Sequence, residues 1–345
     1  MGEQKAMMAT ATVPPPLRQT ANPAPVRPAN SVRRTCTIDV SWPSGQMGDR
    51  LFIGRVRDYR TPADGGEGEV LDAAEFRAHL AEDKTITAIE AEPAPDRLHT
   101  LVGVRGGNHL RLFIKETMPE LIAQAAPIYL PLDDISGTAL VSAFAWSQFH
   151  DNWAEQLRQR IGSEEFEPMM ESRVDVCWGL ARGNSGVSPE GPPNNPAEAD
   201  AGDIRNPEDP LGWHDLPENE GPGFRRARRI DVIRDEAAGL IHIEAAFQDS
   251  AKRRIEGRVA IHEYSISATA DLASGKLLSL TPQPHILPFG ECPGAVANAQ
   301  RLVGLPLSSL RDAVIAHLKG TAGCTHLNDA LRSLAEVPKL AEYLG

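Results

Sequence analysis

From Arg33 onward apolar and polar residues alternate. Cys36, Ile38 and Val40 fall on one side and Thr37 and Asp39 on the other, the period-two pattern of a strand. A second run, Leu51 to Val56, follows the turn residues Pro43, Gly45 and Gly48, so the two predict a hairpin. Residues 70–80 fit strand or helix equally, and Ile86, Ala88 and Ala91 continue extended until Pro93. Thr117-Met118-Pro119-Glu120 has the form of a capping box with proline in the first turn, predicting a short helix over 121–126. Gly137 to Trp146 reads as a buried helix. The strand pattern restarts at Ile230-Asp231-Val232 and runs through 240–247, 259–270 and 277–280. Helical runs follow over 295–302 and 309–318, with Cys292 as the cap before Pro293. A last helix opens with Thr325 as its cap and is stopped by Pro338.

The two strand patterns are related. Ile38-Asp39-Val40 and Ile230-Asp231-Val232 are offset by 192 positions, each behind a pair of arginines, Arg33-Arg34 and Arg225-Arg226. At the same offset Thr117 and Glu120 face Ser309 and Asp312, Lys84 and Ile86 face Lys276 and Leu278, and Asp58 answers Asp249 at a strand end one position out of step. Agreement in this order predicts a duplication. The expected fold class is α+β, two pseudo-repeated units over 32–182 and 224–345, each an antiparallel sheet followed by short helices. Residues 183–223 hold eight prolines, nine acids and one arginine, the composition of a linker. An island within it, Asp209 to His214, carries Trp213 beside His214 and is expected to dock on the folded part as an anchor or lid. Residues 1–31, rich in Pro, Ala, Thr and Asn, are expected as a disordered tail.

Composition narrows the classes. A chain of 345 residues with 41% apolar residues can build two cores, and a net charge of −12 argues against general affinity for nucleic acid. Four cysteines at irregular spacing make no disulfide framework, and no secretory apolar region opens the chain, so a reduced, cytoplasmic protein is expected. No apolar run reaches the roughly 18 residues of a membrane span. No phosphate-binding loop, dinucleotide fingerprint, nucleophile elbow or zinc-protease motif is present, so no cofactor is expected. A homodimer is left open.

The chemistry concentrates toward the C-terminus. Cys292 and Cys324 each sit where a helix should start, and helix N-termini favour negative charge and lower a thiol pKa. The plainer alternative is that both are small buried fillers. His326 lies two residues beyond Cys324 as a base. Cys292, Cys324, His326 and His262 make a mixed zinc set in residue type, but they lack paired cysteine spacing, and no metal is expected. Aligning Ala139-Leu140 with Ala330-Leu331 puts Asp133 near the position of Cys324, predicting a carboxylate and a thiol in one cleft between the copies. In His262-Glu263-Tyr264, alternation sends His262 and Tyr264 to one face and Glu263 to the other. The expected catalytic residues are therefore His326, Cys324, Asp249 and Asp133. Substrate contacts are expected from Cys292, Thr325, His262, Tyr264, Trp213, His214 and Trp146.

Arg228-Arg229 with Asp231, then Asp249, Asp271, Cys292-Pro293, Leu302-Val303-Gly304-Leu305 and above all Gly323-Cys324-Thr325-His326-Leu327 carry a resemblance. Over about a third of the chain, the second half resembles bacterial domain-of-unknown-function family 2889, and the first half looks like a diverged relative without these cysteines. The resemblance implies a place in aromatic or terpenoid catabolism and a small hydrophobic or aromatic substrate, with no established catalytic residue. Joined to the absent cofactor motifs, it leads to an expected cofactor-independent lyase. The concrete form is a retro-aldol-like loss of formaldehyde from a lignin-type phenolic dimer. Two alternatives stand beside it: a hydratase or isomerase on an acyl thioester, with Arg225 to Arg229 as a basic groove, and a non-catalytic protein that binds a hydrophobic ligand or partner.

Overall fold

The computed structural model describes residues 18–187, 199–218 and 220–344. Among the described residues nine strands make one antiparallel sheet: β1 (Ser31–Ser41), β2 (Arg50–Thr61), β3 (Glu69–Leu80), β4 (Ile86–Glu92), β5 (Ala199–Asp200), β6 (Gly223–Asp235), β7 (Leu240–Lys252), β8 (Arg258–Asp271) and β9 (Leu277–Ile286). The order is β4-β3-β2-β1-β6-β7-β8, and β5 and β9 pair with opposite ends of β8. Helices follow β4: α1 (Asn108–Thr117), α2 (Pro119–Ala123), α3 (Tyr129–Val141), α4 (Trp153–Ile161) and α5 (Ser163–Glu171). After β9 come α6 (Leu310–His317), α7 (Thr325–Ser333) and α8 (Val337–Glu342). No helix among the described residues is long and apolar enough to cross a membrane.

The centre of the sheet is buried on both faces. On one face Ile38, Phe52 and Phe76 pack with Leu110, Ile114 and Ile135, while Val232, Ile243 and Phe247 pack with Leu310, Val314 and Leu331. On the other face lie residues 18–30 and 199–218, where Ala24, Ile204, Trp213 and Leu216 pack against Ala227. The cover is pinned by polar bonds. Arg27 pairs with Asp209 at 2.8 Å, and the two ring nitrogens of His214 reach the hydroxyls of Thr35 and Thr37 at 2.9 and 2.8 Å.

This double burial explains why β1 carries polar residues at alternate positions and still exposes none of Ser31 to Val40. β1 and β6 pair with Arg33 opposite Asp231 and Asp39 opposite Arg225. Arg33 Nε reaches Asp231 at 2.5 Å and Arg225 Nε reaches Asp39 at 2.6 Å.

Several local expectations are corrected. Residues 18–30, expected in a disordered tail, pack on the sheet because the central strands need a second cover; residues 1–17, and 188–198 of the expected linker, lie outside the described residues. The ambiguous stretch 70–80 is strand, its buried positions alternating in β3. The capping box does not form: Thr117 ends α1 and its hydroxyl donates to Phe113 O at 2.6 Å, while Met118 is the N-cap before Pro119. The buried helix expected from Gly137 begins earlier, at Tyr129, and tightens into a 3₁₀ helix at Ser142.

Residues 292–302 are 3₁₀ throughout with Glu291 as N-cap. Cys324, rather than Thr325, is the N-cap of α7. Pro338 stops nothing; it sits in the first turn of α8, where its missing N–H has no partner to lose. Asp58 and Asp249, expected at strand ends, lie within strands beside bulges.

Candidate functional site

Three strands and the start of one helix assemble a cluster of ionisable side chains. β6 supplies Arg226, β7 supplies Phe247 and Asp249, β8 supplies His262 and Tyr264, and the N-terminus of α7 supplies Cys324, Thr325 and His326. Alternation puts these strand side chains on the helix-covered face. Asp249 pairs with His262 and Ser250 with Ala260, so Ile261 is the extra residue of a bulge that re-aims the strand beside His262.

Asp249 is fully buried and is gripped by Arg226 through Nε at 2.8 Å and Nη2 at 2.9 Å. His262 Nδ1 stands 3.3 Å and His326 Nε2 3.8 Å from the same oxygen, Asp249 Oδ2. The two imidazoles stack with centroids 3.6 Å apart and planes 17° from parallel, and Phe247 lies 6.0 Å from His326. Burial alone would raise the Asp249 carboxyl; Arg226 and His262 outweigh it and hold it well below the usual carboxylate range. Burial, and then His262, push the His326 imidazole well below its ordinary value, so it is neutral at pH 7 and a weaker base than a free imidazole.

The donor atoms of Asp249, His262 and His326 lie within 4.8 Å of one another, and two imidazoles with a carboxylate suit a transition metal by residue type. Ring orientation is the obstacle. Lone pairs lie in the ring planes, and nearly parallel planes 3.6 Å apart share no point about 2.1 Å from both nitrogens. In this arrangement, holding an ion between both rings requires one ring to swing away.

Around this centre the thiols behave otherwise than helix-end placement predicts. Cys324 is 4% exposed, and burial first, then Cys177, push its thiol to about 11 against the lowering by the Leu327 N–H. Burial likewise drives Cys292 upward, and burial and then Cys324 drive Tyr264 well above the ordinary phenol value. Desolvation outweighs the helix N-terminus, so these groups are neutral donors at pH 7 rather than nucleophiles.

A segment at 177–187 closes over them: Trp178 N–H donates to Gly323 O at 2.8 Å, and Gly179 sits so close to Cys292 that a Cβ there would lie 2.4 Å from Sγ. The segment is latched by Glu291, which accepts from Ser185 N at 3.1 Å and Oγ at 2.9 Å.

The other expected residues go elsewhere. Thr325 opens α7 with its hydroxyl 3.5 Å from His326 Nδ1. Asp133 is held by both terminal nitrogens of Arg332 at 3.0 Å and is buried in α3, so it is a packing ion pair rather than a partner of Cys324. Trp213 and His214 lie on the opposite face of the sheet, separated from His326 by the strands themselves. The ring partners of Trp146 are Trp42 and His150. His262 and Tyr264 do share a face, and Glu263 points to the other, bonding Ala21 N and Gln248.

The basic run is consumed internally. Arg225 pairs with Asp39, Arg226 with Asp249, Arg228 with Asp134 and Arg229 with Asp231, so these four arginines face buried acids and form no exposed basic groove. Sequence reasoning missed two participants. Arg226 was hidden in that run, although its strand position predicts an inward side chain. Cys177, whose thiol receives the Thr325 N–H, belongs to no motif.

Fold and cluster together define a mixed helix-and-strand protein on a nine-stranded antiparallel sheet, with a histidine–carboxylate centre at the first turn of α7 in which His326 keeps some contact with solvent. Residues 224–339, which contain Arg226, Asp249, His262 and His326 but not Cys177, match the family described as a protein of unknown function, DUF2889. Neither the curated proteins nor the solved structures give a match to the chain.

Proposed function

We propose that the chain is a cofactor-independent lyase whose acid–base centre is His326 with His262 on Asp249. The observation that carries this reading is the stacked imidazole pair sharing one carboxylate oxygen, itself fixed by Arg226. Neutral His326 takes the hydroxyl proton of a primary alcohol. The adjacent carbon–carbon bond breaks, formaldehyde leaves, and the electron pair forms a new double bond that expels an aryl ether oxygen as phenolate. The proton returns to that oxygen, so atoms and electrons balance without an oxidant. Tyr264 and Cys324, neutral at pH 7, are the available donors toward the developing phenolate. Residues 177–187 cover Cys324 and Cys292 through Trp178 and Gly179, so a lignin-type dimer reaches the centre by displacing them.

The same reading takes residues 32–182 and 224–345 as diverged copies. Support comes from Arg33–Asp231 and Arg225–Asp39, pairs that exchange under the 192-position offset, and from bulges beside both Asp58 and Asp249. The position paired with Asp58 is Asp72 where Asp249 faces His262, so only the second copy carries the imidazoles.

The test is formaldehyde release from lignin-derived phenolic dimers by the full chain, with and without chelator. Turnover that survives chelation and falls about 10²- to 10⁴-fold in His326→Ala is expected. No formaldehyde from any dimer sinks the lyase. Equal ligand binding by parent and variant without turnover would make the chain a binding protein instead.

A further inference from the structure

The face of the sheet away from the helices holds a cavity of about 80 Å³, roofed by residues 21–25 and Trp213 and floored by β6, β7 and β8. Of the residues that form the centre beneath α7, Phe247 alone also lines it. Its walls are mostly small and apolar, but two buried donors on them lack acceptors among the described residues: Trp213 Nε1 and Arg229 Nε. Both residues are more than nine-tenths buried, and a buried donor left unmatched is costly unless something accepts from it.

The third polar wall is Glu263, whose carboxyl accepts from Ala21 N at 2.5 Å and Gln248 Nε2 at 2.9 Å. Burial pushes that carboxyl up to about 7, so near neutral pH about half of it is protonated and it carries less negative charge than an ordinary glutamate. Charge points the same way. Arg27, Arg33 and Arg229 are gathered on only two buried acids, Asp209 and Asp231, and Glu244 at the exposed rim is bonded to Ser267.

We infer that this cavity is a binding site for a small monocarboxylate the size of formate or acetate. The carboxylate oxygens accept from Trp213 Nε1 and Arg229 Nε, and any methyl group rests on the alanine-rich wall. The size of the cavity excludes an aromatic acid, so the site is separate from the proposed lyase chemistry and stands or falls without it. Its place under the N-terminal strap makes such an anion a clamp: bound, it ties residues 21–25 and Trp213 to the sheet.

The test titrates the full chain with sodium acetate and with sodium formate at constant ionic strength, by calorimetry and by tryptophan emission. Saturable binding is expected, weakened by about tenfold or more in Trp213→Phe, which keeps the ring and removes the N–H. Arg229→Lys is the second variant and is expected to weaken binding similarly. Absence of saturable heat up to about 0.1 M overturns the site, as does an equal response to chloride at matched ionic strength. Binding unchanged in both folded variants places the anion elsewhere and also overturns it. The wild-type titration alone decides the matter if neither variant folds.

Discussion

His214 offers a sharp test of how the second face of the sheet is held. Its ring is fixed between Thr35 and Thr37, and burial first, then Arg57, Arg55 and Arg225, depress its pKa to about 3. In the unfolded chain the imidazole returns to about 6.5. Between those values the unfolded state binds a proton that the folded state refuses, so stability is fully present above about pH 6.5 and is lost as pH falls toward 3. At pH 5 the unfolded state gains RT ln(1 + 10^1.5), about 2 kcal/mol, and partial contact of the ring with solvent reduces this to about 1 to 2 kcal/mol.

The assay is urea unfolding of the parent and of His214→Gln at about pH 7.5 and pH 5. Other depressed histidines, His326 and His285, act equally in both proteins and cancel. The parent should lose about 1 to 2 kcal/mol more than the variant across that interval. Equal losses would refute the reasoning, because they would mean that His214 titrates alike in both states.

Further outcomes follow from the buried ion pairs. Gly137 presses on the sheet where a Cβ would lie 2.2 Å from Arg226 Nη1, and that guanidinium is pinned by Asp249. Gly137→Ala should therefore cost about 1 to 3 kcal/mol in urea unfolding, and an unchanged midpoint would show that Arg226 moves freely. Arg34 binds Asp58 at 2.6 Å and Glu336 at 2.8 Å, all three buried, so Arg34→Met should cost about 3 to 5 kcal/mol. Adding Asp58→Leu should recover part of that loss, and a double-mutant cycle with no coupling would contradict the pairing.

Much of the fold was written in local pattern. Alternation gave β1, β2 and β6 to β9, and the offset between Arg33-Arg34 and Arg225-Arg226 marked the two strands that meet at the sheet's centre. Alternation also placed His262 and Tyr264 together and Glu263 apart from them, because a strand's two-residue period is fixed by its own backbone. The signature around Cys324 located the helix end of the site. The helices α1, α4, α5 and α8 have no counterpart in the pattern, and of the two readings of Cys292 and Cys324, activated thiols at helix ends or small buried fillers, burial favours the second. Helix ends are visible in sequence, but the burial that raises a pKa is a property of everything packed around it.

What the sequence determined by itself is the period of each element and the residue types on each face. Tertiary structure decided the partners. Asp249 meets His262 from a neighbouring strand and His326 from a helix more than seventy positions later, and only the pairing of β7 with β8 under α7 brings them to one carboxylate oxygen. Arg225 to Arg229 look like a surface basic run until the sheet closes on both faces: Arg225, Arg226 and Arg228 then meet acids distant in sequence, and Arg229 alone pairs within its own strand, with Asp231. Contacts of this kind depend on register and layer packing, which short-range pattern does not specify, whereas the face on which a side chain stands follows from its own backbone.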